Sequence, residues 1–212
     1  MKLSTAVKSM LGIAAAGLPL IAAAESNIST STTGAALSTN ARVNFSVVIP
    51  KALYLRVGTG SAYTTGALAA NATIDTITFS PTAGAVGSGT PVAGTGGDLT
   101  GGVETAAIVS NGGNVSLVAT ATGALSDGAG NTIPYTQITT TASAGTYATL
   151  LNAPTLANGT SSTVTLTAPA SKVITADAHW TYQYANAAAV PAGTYGNTVA
   201  NNGQVTYTAT MP

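Results

Sequence analysis

Gly203-Gln-Val-Thr-Tyr-Thr-Ala-Thr-Met-Pro212 is the stretch from which the fold is read. Val205, Tyr207, Ala209 and Met211 alternate with Gln204, Thr206, Thr208 and Thr210. Successive side chains of a strand point to opposite faces, so this spacing predicts a strand with one apolar and one polar face. The sequence closes on this strand. Its backbone needs an edge to pair with, either inside the same domain or on another chain. The second case makes the protein an assembly subunit.

Working back from that strand, the same period recurs. Val43, Phe45, Val47 and Ile49 alternate and are closed by Pro50, and Leu53, Leu55 and Val57 follow on one face. A Pro between two such runs reads as a strand that bends or changes sheet. Further strands are predicted at 73–79, 103–109, 114–121, 133–141, 162–167, 179–184 and 194–199. Asn111-Gly-Gly-Asn114 is a hairpin signal, and Asp127-Gly128 with Gly130-Asn131 marks another turn. The glycine-rich segment 84–102 is expected to be a long loop or loose hairpin. Ala-Gly-Thr-Tyr occurs at 144–147 and again at 192–195, as two equivalent entries from loop to strand. No segment holds a 3.6-residue period. Many short strands with regular turns predict an all-β, antiparallel β-sandwich.

The chain has 212 residues. Lys2 and Lys8, the apolar run from Met10 and Ala22-Ala23-Ala24 read as a secretory signal peptide over 1–24. Residues 25–42 read as a flexible, Ser/Thr-rich extension and 43–212 as one sandwich domain. Charged residues are 6% of the chain, against roughly 25% in ordinary soluble domains. Beyond the leader, Arg42, Lys51, Arg56 and Lys172 face Glu25, Asp75, Asp98, Glu104, Asp127 and Asp177. So few cations cannot collect phosphates, which excludes nucleic acid as a partner. There is no cysteine, and a domain of this size can build its core without disulfides. No apolar run beyond the leader has membrane-spanning length.

Chemistry finds little to work with. His179 is the only histidine, and without cysteines it cannot complete a usual zinc site. Asp177 shares its strand face, yet acid–base catalysis needs a second positioned group. No Gly-x-Ser-x-Gly elbow is present. Asp127-Gly-Ala-Gly-Asn131 has too few carboxylates for calcium and reads as a turn. No catalytic residue, metal ligand or cofactor is expected, and the protein is read as a non-enzyme. Trp180, Tyr182 and Tyr184 fall on one strand face. Exposed, they would stack on sugars; buried, they would fill the sandwich core, and the shortage of other large side chains favours the core.

Ala189-Val-Pro-Ala-Gly-Thr-Tyr195, followed by the closing strand, resembles the end of bacterial chaperone–usher pilin subunits, the spore-coat-U-like archaic branch above all. The resemblance implies an immunoglobulin-like sandwich that lacks its last strand and is completed by strand exchange. It also implies a periplasmic chaperone and an outer-membrane usher as partners, passage through the periplasm, and a final place in a homo-oligomeric fibre (pilus or fimbria) at the cell surface. The assembly residues would be Val205, Tyr207, Ala209 and Met211 in the receiving strand. Val43, Phe45, Val47 and Ile49 would be the donor, unless they are the first strand of a complete sandwich. The alternative function is a self-contained adhesin or coat protein that binds glycan or a surface partner through Trp180, Tyr182 and Tyr184, or through the loop at 84–102.

Overall fold

The computed structural model describes residues 26–63 and 68–212. The expected signal peptide, 1–24, lies outside the described residues. The chain divides into two units, Met1–Ile49 and Pro50–Pro212. In the first, residues 26–49 form no strand. Val43, Phe45, Val47 and Ile49 are 69–92% exposed. Their alternation is present, but a strand exists only where another backbone answers its N–H and C=O groups.

The second unit is a β-sandwich, as expected. Its strands are β1 (Leu53–Val57), β2 (Ile77–Phe79), β3 (Val92–Gly96), β4 (Val103–Ser110), β5 (Val115–Ala121), β6 (Leu125–Ser126), β7 (Thr132–Ile133), β8 (Ile138–Ser143), β9 (Thr149–Leu150), β10 (Val164–Leu166), β11 (Ile174–Tyr184) and β12 (Val205–Thr210). Short 3-10 turns occupy Ala83–Ala85 and Tyr135–Gln137. One sheet runs β1-β4-β11-β3-β2, and β8 and β9 pair with the other edge of β11. The opposing sheet runs β10-β5-β12. Among the described residues only β9 pairs in parallel, at Ala176–Asp177 of β11.

The core lies between these sheets. Ala106 and Ile108 of β4, and Ala176, Ala178 and Trp180 of β11, face Val115, Leu117 and Ala119 of β5. Small alanines at the sheet centre leave room for the indole of Trp180, which is fully buried and donates its Nε1–H to the Leu151 carbonyl at 2.7 Å. Tyr182 and Tyr184 are each 6% exposed on the same face.

Several expected elements change. Asn111–Asn114 is a corner and not a hairpin. Both edges of β4 are taken, by β1 and β11, so the chain must cross to the other sheet before β5 can pair. Gly113 makes that crossing with φ +117°, a conformation that glycine adopts without strain. The strand expected at 194–199 is absent, because Gly196 and Asn197 take positive φ and break the extended run. The strand expected at 73–79 shrinks to Ile77–Phe79, whereas the loop expected at 84–102 contains β3. The two Ala-Gly-Thr-Tyr copies are not equivalent: the first leads into β9 and the second into a loop. No described helix is long and apolar enough to cross a membrane.

Candidate assembly edge

β12 pairs with β5 from Val205↔Ala121 to Thr210↔Ser116. Ala121, Ala119 and Leu117 point inward, so the register turns Val205, Tyr207 and Ala209 toward the core. Met211 continues that face. These side chains are nevertheless only half-buried, in the pattern expected where a sandwich is covered on one side. Tyr207 is fixed most firmly. Its ring lies 5.3 Å from that of Trp180, and its hydroxyl meets the Tyr182 hydroxyl at 2.9 Å. Burial pushes the Tyr207 phenol up to about 12, with the Tyr182 bond opposing. Both phenols are therefore neutral donors and acceptors at any physiological pH.

Among the described residues β12 has one ladder, with β5, and β1 has one, with β4. The second edges of these two strands are unpaired, and the strands approach within 8 Å, Cα to Cα. Leu55 and Val57 of β1 are half-buried beside the core, like their counterparts on β12. At one end the two strands are tied. Lys51 Nζ donates to the Pro212 oxygen, and a side chain on Gly112 would collide with Lys51 and Met211. Among the described residues β1 and β12 thus each leave one backbone edge unpaired, with half-buried apolar side chains beside both.

The entry to β1 is held by a single side chain. Asn111 Nδ2–H donates to the Pro50 carbonyl at 2.8 Å, Asn111 Oδ1 accepts the Ala52 N–H at 2.7 Å, and the Asn111 backbone N–H donates to the Ala52 carbonyl at 3.3 Å. Asn111 thereby continues the β1–β4 pairing by one residue, to Ala52.

Other polar groups are absorbed by the architecture. Asp177 lies on the outer face of β11 yet is fully buried. Its carboxylate accepts the Tyr63 hydroxyl at 2.7 Å and the backbone N–H groups of Thr146 and Tyr147 at 2.6 and 2.8 Å. A Cβ on Gly145 would sit 2.5 Å from this carboxylate, so the first Ala-Gly-Thr-Tyr copy is a cradle for Asp177. His179 is half-buried on the same face and is not among the donors to that carboxylate. Asp127 accepts Ala129 N–H and Asn131 N–H, the plain turn expected.

A feature missed by the sequence reading is the meeting of Asp75, Asp98 and Glu104, with carboxylate oxygens all within 4.8 Å of one another. Asp98 is paired with Arg56 at 2.8 Å and accepts the Thr105 N–H, and Asp75 accepts the Thr59 hydroxyl. Burial, reinforced by Asp75 and opposed by the Asp98 N–H, pushes the Glu104 carboxyl up to about 8. It keeps its proton at neutral pH, which spares the cluster one buried negative charge. Three acids this far apart in sequence leave no local signal.

Trp180, Tyr182 and Tyr184 are buried, which removes them as an exposed stacking row. No family model, curated protein or solved structure matches the chain.

Proposed function

We propose that the protein is a secreted, non-enzymatic structural subunit of a bacterial surface fibre. Its immunoglobulin-like sandwich is one strand short and is completed by β-strand addition. One observation carries this reading: the unpaired edges of β1 and β12 occur in the same chain as an exposed, apolar segment, Val43–Ile49, that has no partner strand among the described residues. Val43, Phe45, Val47 and Ile49 supply four apolar side chains for a seam whose β12 wall presents Val205, Tyr207, Ala209 and Met211.

Magnitudes indicate what such a donor needs. Burying four side chains of this size contributes ~6–12 kcal/mol. Ordering seven residues costs ~7–14 kcal/mol. Apolar contact alone therefore leaves the donor near balance. Backbone hydrogen bonds, at about 0.5–1.5 kcal/mol each, decide the outcome. A seam with two free edges offers more of them than one free edge does. The resemblance to pilin subunits adds the partners: a periplasmic chaperone occupying the seam in transit, and an outer-membrane usher at the exit. The alternative of a glycan-stacking adhesin loses its support with the burial of Trp180, Tyr182 and Tyr184.

The test is to shear cells that express the protein and to image the released material, with Phe45→Asp alongside. Fibres from the wild type and none from the variant are expected. Monomers from both would refute the assignment.

A further inference from the structure

A donor located immediately before β1 has an obvious competitor for the seam of a neighbour, namely the seam of its own chain. Two routes lead there. Parallel pairing with β1 needs a crossover connection of about a dozen residues or more, and only Pro50, Lys51 and Ala52 separate Ile49 from β1. The other route is a tight antiparallel hairpin. Its favoured two-residue turns, types I′ and II′, both need positive φ at the first central residue.

Pro50 and the three residues before it do not favour that geometry. Pro50 is locked near a φ of about −65°. Val47, Val48 and Ile49 are β-branched, and positive φ is a genuine outlier for such residues. A turn centred on Pro50 and Lys51 would also need the Ala52 N–H to close it onto the Ile49 carbonyl. That N–H is already given to Asn111 Oδ1 at 2.7 Å, and the Pro50 carbonyl is held by Asn111 Nδ2–H at 2.8 Å.

We propose that Pro50 and Asn111 together form an anti-closure device. They prevent the chain from filling its own seam and reserve the edges of β1 and β12 for Val43–Ile49 of a second copy. Asn111 acts as a positioning residue, through the backbone of residues 50–52. The proposal rests on the reading above, that this segment is what fills the seam.

The experiment uses the full mature chain, compared by light scattering after chromatography and by urea unfolding at several protein concentrations. Pro50→Gly combined with Asn111→Ala restores a type II′ turn and frees the Ala52 N–H. It is expected to lower the amount of species larger than a dimer by about tenfold, the equivalent of ~1.4 kcal/mol. It should also yield a monomer whose unfolding midpoint does not depend on concentration. Pro50→Asn with Lys51→Gly offers a type I′ turn but leaves the Ala52 N–H on Asn111 Oδ1; it serves if the first variant fails to fold, and a smaller shift of the same sign is expected. Assembly of the folded variants to the wild-type extent, while Phe45→Asp abolishes assembly, would overturn the proposal and leave the strand-addition reading intact. Wild-type assembly by Phe45→Asp would overturn both.

Discussion

Asp177 illustrates how a single residue acquires meaning from its surroundings. In the sequence it stands two positions from His179 and looks like half of a catalytic pair. In the fold its carboxylate is consumed by Tyr63, Thr146 and Tyr147, which pins two loops to the outer face of β11. Asp177→Asn keeps the volume but turns an amide N–H toward groups that are themselves donors. We expect a loss of ~2–3 kcal/mol in urea unfolding, within the range for buried hydrogen bonds to a charged group. Glu104 leads to a prediction about pH. Its carboxyl titrates at about 8 in the fold, against 4.5 for the ordinary side chain. Below about 4.5 it is protonated in both states, and its contribution is fully present. As pH rises toward 8, the unfolded chain releases the proton while the folded chain keeps it, so stability falls by an amount on the order of a few kcal/mol. Asp98 has the opposite sign. Burial alone would raise it, but the Thr105 bonds and Arg56 outweigh burial and hold it below its usual value. Its contribution is lost as pH falls through that lowered value. Maximum stability is therefore expected in mildly acidic solution. Glu104→Gln should flatten the alkaline side of a melting-temperature profile; an unchanged slope would contradict the assignment.

At the scale of elements, strand boundaries follow the available edges more closely than the residue pattern. β4 and β11 exceed their expected lengths because each is paired on both sides over much of its run. Val43–Ile49 alternates except at Val48 but forms no strand, since alternation sorts side chains between faces and does nothing for backbone groups. The join between β3 and β4 depends on two glycines. A Cβ on Gly102 would meet the Gly94 Cα at 2.7 Å, and Gly102 has φ +75°. Gly102→Ala meets backbone that cannot yield, so a loss of about 1–3 kcal/mol is expected. Hydrogen exchange should locate the damage at 92–96 first. Protection in β12 should persist, because that strand pairs in the other sheet.

For the whole molecule, the proposed seam would make stability depend on what occupies it. A ligand that binds only the folded state stabilises it by about 2.7 kcal/mol at a hundredfold excess over its Kd. A synthetic peptide spanning residues 41–51 should therefore raise the urea midpoint of the Phe45→Asp protein, whose own donor is spoiled. A peptide carrying the same substitution should not. Trp180 offers the optical readout, since its ring lies against Tyr207 of β12. A midpoint indifferent to the native peptide would mean that the seam does not accept this segment.

Much of this was legible in the residues themselves. The all-β class, the strand at 205–210, the turn at Asp127 and the absence of charge for binding nucleic acid all follow from side-chain period, turn chemistry and composition. Those are properties of neighbouring residues, written locally in covalent geometry. The turn-resistant run Val47–Pro50 is of the same kind. Only the tertiary structure decided that Asn111–Asn114 is a corner, that three acids from separate loops and strands converge, and that Asn111 clamps the entry to β1; the core placement of Trp180, Tyr182 and Tyr184, favoured by composition, it bears out. It also decided which edges stay open. Pairing joins residues far apart in the chain, and whether a backbone edge is free depends on every other strand that competes for it.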